Sequence, residues 1–154
     1  MIFQHSTELA IRAALYLAQQ APGKLTPVRE IAEEIGVSET YLAKIAHRLV
    51  SAGLVRSFRG PGKGMEIGRA PEKITLLLLV NAVQGSLGHD QCVLGLALCN
   101  SDEPCALHAE WLPLRDAIFG ILEKTTLADL VGSVGHSVPV RSVLAAAQER
   151  SEPR

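Results

Sequence analysis

What the sequence does not contain narrows its possibilities first. No apolar run approaches the ~20 residues that cross a bilayer; the longest is Leu76 to Val80 with its flanks. The opening MIFQHSTELAIR has no basic stretch leading into an apolar one, so no secretory signal and no membrane partner are expected, and the expected address is cytoplasmic. With 13 Gly and 8 Pro in 154 residues the chain is not of low complexity, and at 47% hydrophobic it is not a disordered one. No C-x-x-C pair, Ser-His-Asp arrangement or couple of carboxylates stands out, so an enzyme is not expected. Cysteine is scarce as well: Cys92, Cys99 and Cys105 only. An odd count cannot all pair within one chain, and in a reducing compartment clustered thiols point to metal binding or reactivity.

Net charge is nearly absent, −1 over the chain, but it is unevenly spread. Residues 1–70 carry nine Lys/Arg against six Glu, and residues 71–154 carry six against ten Asp/Glu. A basic half joined to an acidic half suggests two tasks.

Helical spacing of Leu9, Ile11, Ala13, Ala14, Leu15, Leu17 and Ala18 predicts a first helix over 7–20, with Ser6 or Thr7 as N-cap and Pro22-Gly23 as its stop. A second helix starts near Thr26-Pro27, carries Val28, Ile31, Ala32 and Ile35, and stops at Gly36. Ser38 caps a third, Glu39 to Ala52, whose stripe is Leu42, Ile45, Ala46, Leu49 and Val50. A short glycine turn between two apolar-faced helices is the helix-turn-helix arrangement, with Val37 plugging the angle. Leu54 to Phe58 and Met65 to Gly68 then read as two strands around the tip 59–64, so a wing follows at once.

Charge agrees with that order. Lys44, Arg48, Arg56, Arg59, Lys63 and Arg69 face a single acid, Glu66, between positions 44 and 69. Phosphate neutralisation with counterion release supplies most DNA affinity, so cations gathered on one helix and its wing suit a duplex reader. The polar face of the third helix offers Ser38, Glu39, Thr40, Tyr41, Lys44, His47 and Arg48. Its N-terminal end is expected at base edges in the major groove; Arg56, Arg59 and Lys63 are expected on the backbone or in the minor groove. The bland alternative is a small helical domain with a solvated basic face.

A fourth helix is expected from Glu72 behind Pro71, ending at Gly85 or Gly88, followed by an aperiodic stretch over 86–106 that holds every cysteine. Loops of that length are uncommon in compact domains unless they serve a function. Leu107, Trp111, Leu114, Ile118, Ile121 and Leu122 then predict a long helix, kinked at Pro113 or starting near Glu110. Alternating steps of four and three are those of a helix that pairs with another, here the first helix or a second subunit. Thr125 or Thr126 caps a final turn, Leu127 to Val131, and an unordered tail is expected over 133–154.

The constellation Cys92-x6-Cys99-x5-Cys105-x2-His108 offers three soft sulfurs and an imidazole, a complete set for zinc or for an iron–sulfur cluster. Zinc knuckles usually have tighter spacing, and wider steps suit a larger object; Gly88, Gly95 and Pro104 supply the bends. Structural zinc, a cofactor-free thiol switch and three unremarkable thiols are the alternatives.

The segments TELAIRAALYLA, IAEEIGVSETYLAKIAHRLVSAGLVRSFRGPGKGMEI, ITLLLLVNAV, CALHAEW and TLADLV, in this order, resemble the Rrf-two family of bacterial transcription regulators, which includes IscR, NsrR and RirA. The likeness spans about residues 1–132. It implies a mainly α fold: a winged helix-turn-helix domain over 1–85, a cysteine-bearing loop over 86–106, and a long C-terminal dimerisation helix with its final turn over 107–132. It further implies a homodimer whose long helices cross, a palindromic double-stranded DNA operator, and a 2Fe–2S or 4Fe–4S cluster near the interface, with repression responding to redox, nitric oxide or iron status. Matched position by position, the cluster ligands fall on Cys92, Cys99 and Cys105. The fourth is either His108, three residues past the last cysteine, or Glu8 of the first helix, supplied by the partner subunit. As a plain residue, Glu8 is also a favourable charge in a helix's first turn. Two departures stand out: the first cysteine spacing is x6 where x5 is commonest, and the wing reads Gly62-Lys63-Gly64-Met65 where the family usually has Gly-Gly and an aromatic residue.

Overall fold

A computed structural model describes residues 3–87, 92–97 and 99–134. The expected bend at Gly88 and positions 135–154 of the expected tail lie outside them. The first helix, α1 (His5–Ala18), runs through the middle of the fold, with Leu9, Ala10, Ala13, Ala14 and Leu17 buried at helical spacing. Its cap is Gln4, not Ser6 or Thr7. Thr7 is fully buried and its hydroxyl donates to Gln84 Oε1 at 2.8 Å, so the side chain that could have capped the helix is committed to a tertiary bond.

Around α1 pack α2 (Val28–Ile35) and α3 (Glu39–Ser51). Gly36 ends α2 in the left-handed region, φ 74°, which a residue bearing Cβ adopts only with strain. Val37 is half-buried against the core, and Ser38 Oγ accepts from the Tyr41 N–H at 3.2 Å. The turn of the helix-turn-helix is therefore marked by local signals, while its two helices bury their apolar faces in the shared core.

The wing is an antiparallel pair, β1 (Val55–Phe58) and β2 (Gly64–Ile67), in register Val55 with Ile67 and Phe58 with Gly64. On its other edge β2 is fastened to the α1–α2 connection, because Met65 and Thr26 exchange both backbone hydrogen bonds, at 2.9 and 2.8 Å. A Cβ at Gly64 would lie 2.9 Å from the Leu25 and Thr26 backbone, so this close approach requires glycine.

The expected helix from Glu72 divides in two. Pro71–Lys73 forms one 3₁₀ turn, the chain extends again at Ile74, and α4 (Leu76–Gln84) starts behind Thr75, whose Oγ1 accepts from the Leu78 N–H. The cause is distant in sequence: Leu76 N–H donates to Thr125 O at 3.0 Å and Leu127 N–H to Ile74 O at 2.8 Å, which holds this stretch extended. α5 (His108–Lys124) runs as one helix through Pro113 and packs within the chain on α4. α6 (Leu127–Val134) continues three residues past the expected Val131. It begins with a capping box in which Asp129 Oδ2 accepts from the Thr126 N–H and hydroxyl, at 2.8 and 2.7 Å. Leu127 is fully buried in the same core as Leu9, Ile35 and Leu49. Among the described residues no helix is long and apolar enough to cross a membrane.

Candidate nucleic-acid interface and cysteine site

Burial of Leu42, Ile45, Ala46 and Leu49 turns the other face of α3 outward. Ser38, Glu39, Thr40, Tyr41, Lys44, His47 and Arg48 are all exposed, as are Arg56, Arg59 and Lys63 on the wing. A cleft of about 590 Å³ separates the start of α3 from the wing and is lined by Glu39, Phe58, Arg59 and Lys63 together with Arg29 of α2. The reading helix and the wing tip thus share one surface.

Several of these side chains already have work. Ser38 is spent on the cap. Arg56 Nη2 lies 2.8 Å from Oε1 of Glu66, its direct partner across the hairpin. Arg48 Nη1 donates to Val83 O at the end of α4, at 2.6 Å. Arg69, counted above among the basic run, closes the end of α3 by donating to Ala52 O and Gly53 O. Among the described residues, no ion-pair partner is seen for Lys44, Arg59 or Lys63, which remain the cations directed at solvent. Arg29 and Phe58 escaped the sequence reading: the first lies outside the basic run, and the second reads as an ordinary strand aromatic.

The cysteines fall into two pairs. Cys92 Sγ lies 3.7 Å from Cys105 Sγ, and Cys99 Sγ lies 3.4 Å from His108 Nδ1. Among the described residues no three His, Cys, Asp or Glu side chains converge on one point that could hold a metal ion. Cys92 is buried, and the other two cysteines are half-buried. The Leu94 amide above all pulls the Cys92 thiol below its ordinary range against the opposing effect of burial, helped by the Leu96 amide, the Cys105 thiol and the Gly95 amide. Helix α5 opens beside this group, with the His108 N–H donating to Cys105 O at 3.0 Å. His108 Nε2 is buried without a hydrogen-bond partner. Glu8 belongs to neither pair; its Oε2 is 3.5 Å from His5 Nδ1.

The pairing seam expected on α5 splits. Leu114 and Ile121 are 59% and 61% exposed, Leu107 is exposed beside them, and Trp111 and Ile118 are half-buried on the shoulder. Leu122 is corrected: at 3% exposure it faces the chain's own core with Phe119, one residue away from the seam.

Comparison with known proteins agrees with this architecture. Residues 3–133 match the Rrf2 family, described as an iron-dependent transcriptional regulator. The HTH-type transcriptional regulator IscR of Escherichia coli is 34% identical over 124 residues, covering 80% of this chain and 76% of that protein. Among solved structures, CymR, the global cysteine regulator of B. subtilis, superposes with a TM-score of 0.74 at 27% identity, over 86% of this chain and 97% of that one. T. potens IscR shares the fold, with a TM-score of 0.65 at 23% identity over 100% of this chain and 93% of its own. These relatives are transcription regulators, not enzymes, and a winged helix with an exposed basic reading face is built to bind DNA. The chain belongs to the Rrf2 family of helix-turn-helix transcriptional regulators.

Proposed function

We propose that this chain is an iron–sulfur-dependent repressor that binds a palindromic operator as a homodimer. The cysteine segment carries the proposal: three thiols and one imidazole stand in two close pairs at the mouth of the exposed-faced helix α5. The donors fit such a group in kind. Thiolates are the ligands iron–sulfur clusters take; amides already stabilise one thiolate, at Cys92, and His108 has a buried ring nitrogen without a partner. Cys92, Cys99 and Cys105 would hold it, with His108 of the same chain or Glu8 of the partner subunit as the fourth ligand. When bound, it would supply redox and nitric oxide reactivity that side chains lack.

The chain's own residues do the rest. Lys44, Arg59 and Lys63 neutralise phosphates, while Glu39, Thr40 and Tyr41 at the start of α3 meet base edges. Leu107, Leu114 and Ile121 recur every seven residues on an exposed face of α5, the repeat with which a helix lies along a second copy. Half-sites one helical turn apart, ~34 Å, tolerate little mis-spacing. Ordering or freeing the segment before His108 shifts α5, and with it the distance between two reading heads.

Anaerobic purification with assays for iron, acid-labile sulfide and visible absorption tests this, repeated for Cys99→Ala, His108→Ala and Glu8→Ala. Cluster is expected in the unsubstituted chain and not in Cys99→Ala; retention in the His108 or Glu8 variant removes that residue as a ligand. Operator affinity is expected to differ between the loaded and stripped forms. A colourless, iron-free anaerobic protein overturns the reading. The short Cys92–Cys105 separation favours a second one, a cluster-free thiol sensor, which predicts reversible operator release on mild oxidation with no iron or zinc bound.

A further inference from the structure

Beneath the cysteine segment lies a buried positive charge that the described chain meets on one side only. Arg115 of α5 is only 7% exposed. Its Nε and Nη2 both reach Asp116 Oδ1 at 3.3 Å, and Asp116 is itself half exposed. Nη1 is buried with no hydrogen-bond partner. A guanidinium does not shed its proton to escape burial, so its Nη1 side, which Asp116 does not reach, either meets a further acceptor or bears its share of lost hydration.

The surroundings indicate which anion. Arg115 lines a cleft of about 270 Å³ whose other walls are Leu87, Cys92, Val93, Trp111, Ile118 and Phe119. Cys92 has its own donors in the Leu94, Gly95 and Leu96 amides. One unpaired guanidinium nitrogen among apolar and aromatic walls suits a single negative charge on an apolar body. A phosphate dianion asks for several donors, and this cleft has one cation.

We propose that the cleft is a binding site for a small organic monocarboxylate with an apolar or aromatic body. The Arg115 guanidinium turns so that Nη1 opens on the cleft and donates to a carboxylate oxygen, and the body lies against Trp111, Ile118 and Phe119. An occupant touches both the cysteine segment and α5, so its binding would bias the same elements that lead to the second copy. The proposal does not depend on iron–sulfur binding.

Trp111 is the chain's only tryptophan and stands on the cleft wall, so its fluorescence reports occupancy. The full chain, purified anaerobically, is titrated with benzoate and, as a neutral control of the same shape, with benzamide. The expected result is a saturable change with benzoate that is at least about tenfold weaker with benzamide and in Arg115→Gln, and partly kept in Arg115→Lys. The benzamide comparison needs no variant and stands even if Arg115→Gln folds poorly. No saturable response to benzoate, an equal response to benzamide, or full retention in a folded Arg115→Gln overturns the proposal. A response that follows protein concentration without added benzoate, with Arg115→Gln weakening self-association in sedimentation, also overturns it, because the carboxylate then comes from a second copy.

Discussion

Arg48→Gln separates two tasks that a cation on a reading helix can perform. On sequence grounds Arg48 belongs with the phosphate contacts, yet its Nη1 donates to Val83 O at 2.6 Å and ties α3 to the end of α4. A hydrogen bond from a charged donor contributes ~1.5–3 kcal/mol. Arg48 is otherwise exposed, so the lower end applies, about 1.5 kcal/mol. At ~2–4 °C per kcal/mol for a chain of this size, Tm should fall by roughly 3–6 °C. In urea the midpoint should drop with the m-value unchanged, since the folded state stays as compact. Operator binding measured across salt concentrations reads the other task, because each lost phosphate contact reduces the slope of log K against log salt by ~0.9. Arg48→Gln is expected to keep its slope. Lys44→Gln is expected to lose ~0.9 of slope while keeping its urea midpoint. If Arg48→Gln instead keeps its midpoint and loses slope, the guanidinium sits on DNA and the Val83 bond contributes nothing.

Gly64→Ala should destabilise the chain by roughly 1–3 kcal/mol, because the new Cβ meets the Leu25 and Thr26 backbone at 2.9 Å and neither can move without breaking the Thr26–Met65 bonds; an unchanged denaturation midpoint would contradict this. The Thr126 hydroxyl, first, and the Thr126 amide hold the Asp129 carboxyl below the usual carboxylate range. Its folded pKa is depressed, so the stability it adds is present above the unfolded value of ~3.9 and lost as pH falls through the folded one. Asp129→Asn should therefore be less stable than the parent at neutral pH, with the gap closing below about pH 4 in thermal melts; a gap of constant size refutes the capping account. Leu114→Glu with Ile121→Glu should leave the Tm of the monomer nearly unchanged, since both side chains are exposed, while the proposed dimer is lost in sedimentation and operator affinity falls; a double variant that still self-associates would refute α5 as the interface.

Local signals were legible and distant ones were not. Gly36 and Ser38 are a stop and a cap whose physics lies within four residues, so the helix-turn-helix could be read directly. Thr7 is an equally good cap by composition, but Gln84, 77 positions away, takes its hydroxyl. The start of α4 is set by the bridge from Thr75 to Thr126, which no window of sequence contains. Leu122 was read into the pairing seam with Ile121, yet one helical step turns it by 100°, enough to carry it from the exposed face into the chain's own core. The cysteine spacing suggested one joint ligand set, not the two pairs Cys92–Cys105 and Cys99–His108. Arg115 gave no signal, because a buried arginine and a surface one are the same letter.

The bridge between Thr75 and Thr126 has a mechanical consequence. It pins the start of the excursion that holds α4, the cysteines and α5 to its end, so the base of α5 is held at a fixed place beside the core. The 17 residues of α5 span about 25 Å, from Thr125 at the bridge to His108 at the cysteines. A tilt of about 5° at the base then sweeps the cysteine end through roughly 2 Å. Read in reverse, a rearrangement no larger than an atom's width at the thiols turns the whole arm through a measurable angle.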